Sequence, residues 1–361
     1  MESQNYLSEQ IITYLGNKRK LLDNIAGEIE IILRKNKIKK AKTCDLFSGS
    51  GIVARRLKQY SSELHANDLE NYSYVINDCY LSNKQDFNEK EYNQYYEQII
   101  SQPLVEGIIT QTYAPKDDNN IQDGERVFYT HENAMRIDTI RNAIDNVPDE
   151  YKKYFLAPLL YEASVHTNTS GVFKGFYKSK DTHIGKFGGD GGNALERITG
   201  NIELKKPVFS NYSSNIMLYK EDANLLAKEL KGLDITYIDP PYNQHPYGSN
   251  YFMLNTIIGN KIRDKISTVS GIPENWNKSA YNKKNKALKT FEQLISDLDS
   301  KYLIISYNNE GFITLDEMNT MLLKYGKLTL KGIDYPTFRG SRNLQNRNKR
   351  VTEYLFTLEK H

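Results

Sequence analysis

Two stretches in which strand-like and helix-like segments alternate limit the folds open to this chain of 361 residues. From about 11 to 80, helical spacing in "GNKRKLLDNIAGEIEIILRKN" is followed by the strand-like "KAKTCDLF", a glycine loop and renewed helical spacing in "IVARRLKQY". From about 215 the same rhythm returns and ends with "VTEYLFTLEK". Alternating strands and helices predict a parallel sheet with helices on both faces. We therefore predict an α/β, Rossmann-like fold.

The stretch from about 81 to 205 interrupts this alternation. It is rich in Asn, Tyr and charged residues, and it has helical spacing in "HENAMRIDTIRNAIDNV" and "YKKYFLAPLLYEASVH" before it becomes glycine-rich. We predict a first domain formed by residues 1–80 and 206–361, with an inserted domain at 81–205.

Composition narrows the class of protein. A hydrophobic content of 39% supports a large core, and the net charge of +3 leaves any basic face to local clustering. Two cysteines, Cys44 and Cys79, have neither metal-ligand spacing nor a disulfide framework, which favours a reducing compartment. We expect no signal peptide and no membrane span, because these residues show neither a signal-peptide pattern nor an apolar run of membrane length. We expect a cytoplasmic protein with no membrane partner and no metal requirement.

The stretch "CDLFSGSGIVARRL" predicts a ligand site at the end of a strand. It places Asp45 and Phe47 before a loop with Gly49 and Gly51, and a helix follows. Glycines there permit positive φ and allow a ligand to approach backbone N–H groups at the helix N-terminus. The spacing to Ala54 also fits a dinucleotide fingerprint. The alternative is a tight turn without a ligand.

The next strand-like stretch, "ELHAND", ends in Asp68. A carboxylate at the tip of the second strand of a Rossmann-like unit is placed to accept hydrogen bonds from ribose hydroxyls. Asp68 could also cap the following helix, and the two roles do not exclude each other.

The stretch "DITYIDPPY" ends a strand in Asp239, Pro240, Pro241 and Tyr242. Such a strand end suits a planar ring that carries an amine, because the carboxylate and the Pro240 carbonyl can accept from it while Tyr242 stacks on its face. The prolines fix φ and keep these acceptors rigid. This favours an adenosyl cofactor over a nicotinamide one at the glycine loop.

Outside 81–205, the motifs resemble those of the D12 class of adenine-N6 DNA methyltransferases, which includes Dam-like and many restriction-modification enzymes. "ITYLGNKRKLLDNI" resembles the N-terminal cofactor motif, "DLFSGSG" the glycine loop and "DPPY" the catalytic motif. "ND" at 67–68 resembles the ribose contact, and "YKEDANLL" resembles the motif at the adenine edge. The order of these motifs is similar to the alpha arrangement of the class.

The resemblance implies S-adenosylmethionine as cofactor and an adenine flipped out of double-stranded DNA as substrate. The implied cofactor-binding residues are Tyr14, Gly16, Lys18, Asp45, Phe47, Gly49, Gly51, Asp68, Asp222 and Ala223. The implied catalytic residues are Asp239, Pro240, Pro241 and Tyr242. Lys18 could instead be a solvated lysine, and Asp222 a helix cap. The resemblance leaves two roles open: the modification enzyme of a restriction-modification system, with a separate restriction endonuclease as its partner, or an orphan methylase.

Two basic clusters follow the catalytic motif. Residues 243–290 contain eight Lys or Arg against two acids, and "FRGSRNLQNRNKR" at 338–350 contains five basic residues and no acid. Together with the loop "HTNTSGVFKGFYKSK" at 166–180, they suit contacts to phosphates and base edges. The predicted DNA-binding residues are Asn168, Lys174, Lys178, Lys283, Lys284, Arg339, Arg342 and Arg347. Solvated surface loops are the alternative for any one lysine.

Two other functions compete with DNA adenine methylation. One is methylation of RNA or of a protein glutamine amide. Enzymes of the glutamine class resemble Asn-Pro-Pro-Tyr and not Asp-Pro-Pro-Tyr, and the long insertion with its basic loops favours nucleic acid. The other is a catalytically silent DNA-binding subunit, which would have no physical need to keep Asp45, Gly49, Gly51, Asp239 and Tyr242 together.

Overall fold

A computed structural model describes residues 2–262, 265–336 and 350–361. Its strands are β1 (Ala41–Asp45), β2 (Ser61–Asn67), β3 (Asn215–Tyr219), β4 (Leu233–Ile238), β5 (Ser300–Asn308), β6 (Gly326–Pro336) and β7 (Arg350–Lys360). Its helices are α1 (Gln4–Ser8), α2 (Leu22–Asn36), α3 (Ile52–Lys58), α4 (Asn71–Tyr80), α5 (Glu89–Ile100), α6 (Ile108–Tyr113), α7 (His131–Ile144), α8 (Asp149–Val165), α9 (Leu195–Thr199), α10 (Ala223–Glu229), α11 (Tyr247–Asn250), α12 (Phe252–Gly259), α13 (Lys284–Asp297) and α14 (Leu315–Leu322). Short 3₁₀ turns lie at Arg19–Leu21, Lys84–Asp86 and Ala280–Asn282.

All seven strands form one sheet in the order β3-β2-β1-β4-β5-β7-β6. The first five are parallel to one another, whereas β7 runs antiparallel between β5 and β6. The prediction of a Rossmann-like sheet is confirmed, and β6 is a strand that the sequence pattern did not reveal. The order reverses between β1 and β4, where ligands bind in open sheets of this kind.

Helices cover both faces of the sheet, as predicted. One face packs against α2 and α3 through a cluster that includes Ile25, Ile29, Leu57, Leu64, Ile235 and Ile304. The other packs against α10, α13 and α14 through a cluster that includes Leu226, Phe291, Met318, Cys44, Leu303 and Phe356. Strands covered on both faces read as continuous apolar runs, which is why the central strands could be found by sequence.

The segment 81–205 is mainly helical and contains α5 to α9. Its apolar side chains share one buried cluster with α4 and with the region of α11 and α12, through residues such as Tyr80, Tyr92, Phe128, Phe155 and Phe252. The segment therefore packs directly onto elements that flank the sheet. Its standing as a separate domain stays a prediction.

The N-terminal segment is held against the sheet by the buried guanidinium of Arg55 on α3. Arg55 donates hydrogen bonds of 2.9 Å to the carbonyls of Tyr6, Glu9 and Gln10. The predicted helix at 16–36 starts later than expected, since α2 begins at Leu22. Residues 11–18 are therefore free to line the carboxyl edge of the sheet.

Candidate active site

The ends of β1 and β4 lie side by side at the point where the strand order reverses. Asp45 pairs with Tyr237 in the parallel register, and the N–H of Leu46 donates to the carbonyl of Tyr237 at 3.1 Å. The glycine loop follows β1 and Asp239 follows β4, so the two motifs meet at one edge although nearly two hundred residues separate them.

The glycine loop needs its two glycines for conformation and for space. Gly49 has φ +48° and Gly51 has φ +77°, both in the left-handed region. A Cβ on Gly49 would lie 2.8 Å from a ring carbon of Tyr14, and one on Gly51 would lie 2.8 Å from Asn77 Oδ1. Tyr14 in turn packs against the rings of Tyr247 and Tyr251, with ring centroids 5.0 and 4.7 Å away.

Asp68 connects the glycine loop to the end of β2. Its Oδ2 accepts from the N–H of Gly49 at 2.8 Å, and its Oδ1 accepts from the N–H of Glu70 at 2.9 Å. Asp68 thus holds the loop and the start of α4 together, and it also lines the adjoining cleft.

Glu70 is a cleft residue that the motif analysis missed. Its side chain is buried, and Oε2 accepts from Asn255 Nδ2 at 2.8 Å. Burial and the nearby charge of Asp68 raise the pKa of Glu70 to about 7, against the hydrogen bonds from Asn255 and Asn277. Its position two residues after the predicted ribose contact was the signal that could have identified it.

Asp45 lies beneath the loop and does not reach the cleft. Both carboxylate oxygens are buried, and within the described residues neither has a hydrogen bond of regular geometry, although the backbone N–H groups of Ala54 and Phe47 lie close enough to lower the pKa of Asp45. Burial, with the charges of Asp239 and Asp68, raises the pKa of Asp45 well above its ordinary value. Such a group destabilises the ligand-free protein and marks a functional site.

The catalytic motif is joined to the N-terminal motif by an ion pair. Lys18 Nζ lies 2.9 Å from Asp239 Oδ2 and 3.2 Å from Glu353 Oε1. Lys18 is 3% exposed, so the solvated-lysine alternative is wrong. The second oxygen of the aspartate, Oδ1, is buried and has no hydrogen-bond partner among the described residues. The pKa of Asp239 is raised to about 6, because desolvation by burial and the negative charge of Glu353 together outweigh the positive charge of Lys18.

Tyr242 is partly exposed above this ion pair. Its ring packs edge-on against Tyr307 at a centroid distance of 6.0 Å, and its carbonyl accepts from the N–H of Phe312 at 2.9 Å. The Nζ of Lys18 lies 5.9 Å from the Tyr242 ring centroid. One face of the Pro-Pro turn is thereby anchored to the loop after β5.

A cleft opens between the two strand ends. Nine of the predicted residues line it: Tyr14, Gly16, Phe47, Gly49, Asp68, Asp222, Ala223, Asp239 and Pro241. The unpredicted lining residues are Asn67, Leu69, Glu70, Glu221, Tyr247, Gly248, Asn277, Ser279, Tyr281 and Asn282. Lys18, Asp45, Gly51, Pro240 and Tyr242 lie behind or beside this wall. Asp222 caps α10, because it accepts from the N–H groups of Asn224 and Leu225, and its contact with the cofactor stays a prediction.

The segment 277–282 forms one wall of the cleft. Asn277 Nδ2 donates to the carbonyl of Leu69 at 3.1 Å, and Asn282 Nδ2 donates to that of Asn243 at 2.7 Å. The Tyr281 ring packs edge-on against Phe47. The segment thus connects the end of β2 with the loop that follows the catalytic motif.

The predicted DNA-binding residues separate into three groups. Lys174, Lys178, Lys283 and Lys284 have exposed side chains. Asn168 is fully buried, and its amide donates to the carbonyl of Val127 and accepts from the N–H of Gly188. It holds the 166–188 loop together, so the expected DNA contact at Asn168 conflicts with its burial. Arg339, Arg342 and Arg347 lie outside the described residues.

Among the residues that the structure describes, no group of three or more His, Cys, Asp and Glu side chains is arranged to hold a metal ion. Within those same ranges, no helix is long and apolar enough to cross a membrane.

Comparison with known proteins adds to this geometry. A sequence profile of the family "D12 class N6 adenine-specific DNA methyltransferase" matches residues 14–321. The type II methyltransferase M.NlaIII of Neisseria lactamica is 34% identical over 97% of this chain and 99% of its own length. The type II methyltransferase M.CviAII of Paramecium bursaria Chlorella virus 1 is 32% identical over 96% of this chain and 97% of its own length. Modification methylase StsI of Streptococcus sanguinis is 29% identical over 96% of this chain and 52% of its own.

Proposed function

This chain belongs to the D12 class of N6 adenine-specific DNA methyltransferases, and from that premise we propose which of its residues bind the cofactor, hold the target adenine and contact DNA. Membership makes it an enzyme that methylates adenine in DNA with S-adenosylmethionine as the methyl donor.

The cofactor site is the cleft at the strand ends. S-adenosylmethionine carries donors at its ammonium group, its ribose hydroxyls and its adenine amine. The cleft offers acceptors in Asp68, Glu70, Glu221 and Asp222, and the glycines leave room for close approach to the backbone. The chemistry of the lining therefore fits the cofactor. When bound, the cofactor supplies an electrophilic methyl group on a sulfonium centre.

Asp239 is the proposed acceptor for the target amine. The single observation that carries this proposal is its buried, unpartnered Oδ1, next to an Oδ2 that is occupied by Lys18. One oxygen is thus held in place and the other is available. The carbonyl of Pro240 is the second proposed acceptor, and the ring of Tyr242 the stacking surface.

These acceptors lower the barrier by orientation and electrostatics. The lone pair of the exocyclic nitrogen is delocalised into the adenine ring, so a hydrogen bond to Asp239 Oδ1 both aims the nitrogen and stabilises the developing positive charge. With a pKa of about 6, Asp239 is ionised at neutral pH and accepts. After methyl transfer the nitrogen loses one proton, either to Asp239 or to water, and no covalent enzyme intermediate is needed.

The DNA faces the side of the cleft with exposed lysines. Lys174 lies near His245 of the loop after the catalytic motif, and burial together with Lys174 lowers the pKa of that histidine. Lys283 and Lys284 are exposed at the start of α13, next to the 277–282 segment.

Flipping an adenine costs a few kcal/mol. Stacking on Tyr242, about 1–3 kcal/mol per base, offsets much of that cost. Phosphate contacts supply the remainder.

We also propose that residues 81–205 read the target sequence, since the sheet edge is taken up by cofactor and flipped base. The named relatives are type II methyltransferases and a modification methylase. This favours the role of modification enzyme in a restriction-modification system, with a separate cognate endonuclease and with the cytoplasm as the place of action.

The test is transfer of a labelled methyl group from S-adenosylmethionine to mixed-sequence duplex DNA, followed by nucleoside analysis. We expect N6-methyladenine from the wild type. The Asp239→Asn variant keeps the shape but loses the charge, and we expect it to bind the cofactor while its transfer rate falls at least a hundredfold. Labelling of RNA or of protein amides in place of DNA would contradict the proposed substrate, and an active Asp239→Asn variant would contradict the proposed acceptor.

A further inference from the structure

Glu353 is a buried carboxylate that no sequence motif points to. It lies on β7, the antiparallel strand of the sheet, and is 1% exposed. Ser306 on β5 donates to its Oε1 at 2.6 Å, and Lys18 Nζ lies 3.2 Å from the same oxygen. A buried carboxylate is costly, so its place beside the catalytic aspartate calls for a functional explanation.

The ammonium group of Lys18 is surrounded by three acceptors at nearly equal distances. They are Asp239 Oδ2 at 2.9 Å, the carbonyl of Gly16 at 3.1 Å and Glu353 Oε1 at 3.2 Å. An ammonium has three N–H donors, so each acceptor can take one of them. A lysine carries its ammonium group on a flexible four-carbon stem, and each of these three contacts restricts its direction.

We propose that Glu353 is a positioning residue, which holds Lys18 against Asp239 Oδ2 so that Oδ1 stays directed at the target amine. This inference rests on the proposed role of Asp239 as acceptor. With a neutral acceptor at position 353, the hydrogen bond to the Lys18 ammonium loses its charge assistance. Lys18 then gains freedom to turn, and the carboxylate of Asp239 turns with it. Misplacement of a reacting group by about 1 Å can cost a hundredfold in rate.

The charge of Glu353 also acts on the titration of Asp239. The ionisable groups that face Asp239 are Lys18 from the N-terminal segment, Asp45 from β1, Tyr237 from β4, Glu353 from β7, and Tyr242 and Tyr247 from the loop and helix after β4. Of these, Glu353 raises the pKa of Asp239 and Lys18 lowers it. Removal of the Glu353 charge therefore lowers the pKa of Asp239.

The experiment compares Glu353→Gln with a matched control, Glu162→Gln. Glu162 is also 1% exposed and also paired with a lysine, since Lys205 Nζ lies 2.7 Å away, but it belongs to α8. The single-turnover rate of methyl transfer is measured from pH 5 to pH 9 at saturating cofactor, so that product release does not enter. Cofactor dissociation constants are measured in parallel.

For the wild type we expect the rate to fall on the acid side with a midpoint at about pH 6. For Glu353→Gln we expect a plateau about tenfold lower, an acid midpoint about one pH unit lower, and a cofactor affinity within about twofold of wild type. Glu162→Gln should match the wild type in acid midpoint and in cofactor affinity, the two quantities that do not depend on the segment 81–205. An unshifted acid midpoint for Glu353→Gln, or an equal shift for Glu162→Gln, overturns the proposal.

A second variant covers the case in which Glu353→Gln does not fold. Ser306→Ala removes only the hydroxyl that orients Glu353 Oε1, and we expect a plateau rate about threefold lower at unchanged cofactor affinity. An unchanged rate overturns the proposal. Failure of this inference is distinct from failure of the proposed function, because Asp239→Asn must still be inactive if Asp239 is the acceptor.

Discussion

Replacement of Glu70 by glutamine should stabilise the ligand-free protein, and the increase in the free energy of unfolding should become larger as the pH rises. Glu70 is 4% exposed, and burial followed by the charge of Asp68 raises its pKa to about 7 from an ordinary 4.5. A carboxylate with a raised pKa favours folding while it is protonated in the native state. Its contribution is fully present below pH 4.5 and is lost as the pH rises through 7.

The size of the effect follows from the two pKa values. Between pH 5 and pH 8, ionisation of Glu70 costs the native state about 2.5 kcal/mol relative to the unfolded chain. Glutamine has no charge to bury and keeps an oxygen that can accept from Asn255 Nδ2, so the variant escapes this cost. We expect the free energy of unfolding of Glu70→Gln, relative to wild type, to rise by about 2 kcal/mol over that interval.

The assay is equilibrium unfolding in urea at pH 5 and pH 8 without cofactor, with Glu162→Gln as control. Burial raises the pKa of Glu162, but hydrogen bonds from His166 and Lys205 outweigh it and leave the pKa below its ordinary value. The ionised form of Glu162 therefore stabilises the folded protein, unlike that of Glu70, and Glu162→Gln should destabilise the protein at pH 8. If Glu70→Gln raised the free energy of unfolding equally at both pH values, the reasoning would be refuted, because the effect would then not come from the titration of Glu70.

Three further predictions concern the site. Gly49→Ala should weaken cofactor binding at least tenfold, because a φ of +48° is strained for alanine and the added Cβ would lie 2.8 Å from Tyr14. A cofactor titration followed by the fluorescence of Trp276, the single tryptophan, checks this. Methyl transfer should decline as the pH falls through about 6, where Asp239 becomes protonated; a flat pH profile down to pH 5 would contradict it. Lys174→Gln should weaken DNA binding and reduce the salt dependence by about one phosphate contact, without changing cofactor affinity.

Local sequence patterns predicted the main features of the fold and of the cofactor site. Gly49 and Gly51 follow a buried strand, and Asp239 with its two prolines follows another. Each motif depends on neighbouring residues and on a backbone conformation that only certain residue types adopt, so the sequence displays it directly. The same holds for the parallel strands, whose continuous apolar runs stand out from the helical spacing.

Contacts between distant parts of the chain were decided only by the tertiary structure. Nothing near Lys18 indicated that it would be buried between Asp239 and Glu353, because that arrangement needs β7 to enter the sheet antiparallel beside β5. Asn168 looked like a surface residue in a glycine-rich loop, whereas the fold of that loop turns its amide inward.

The sequence by itself determined the α/β sheet, the two motifs at strand ends and the class of chemistry that they support. Which carboxylates are buried, which are paired and which oxygen of Asp239 is left without a partner are properties of the assembled sheet edge. The physical reason is that a pKa and a hydrogen bond depend on all groups within a few ångströms, and only the tertiary structure brings those groups together.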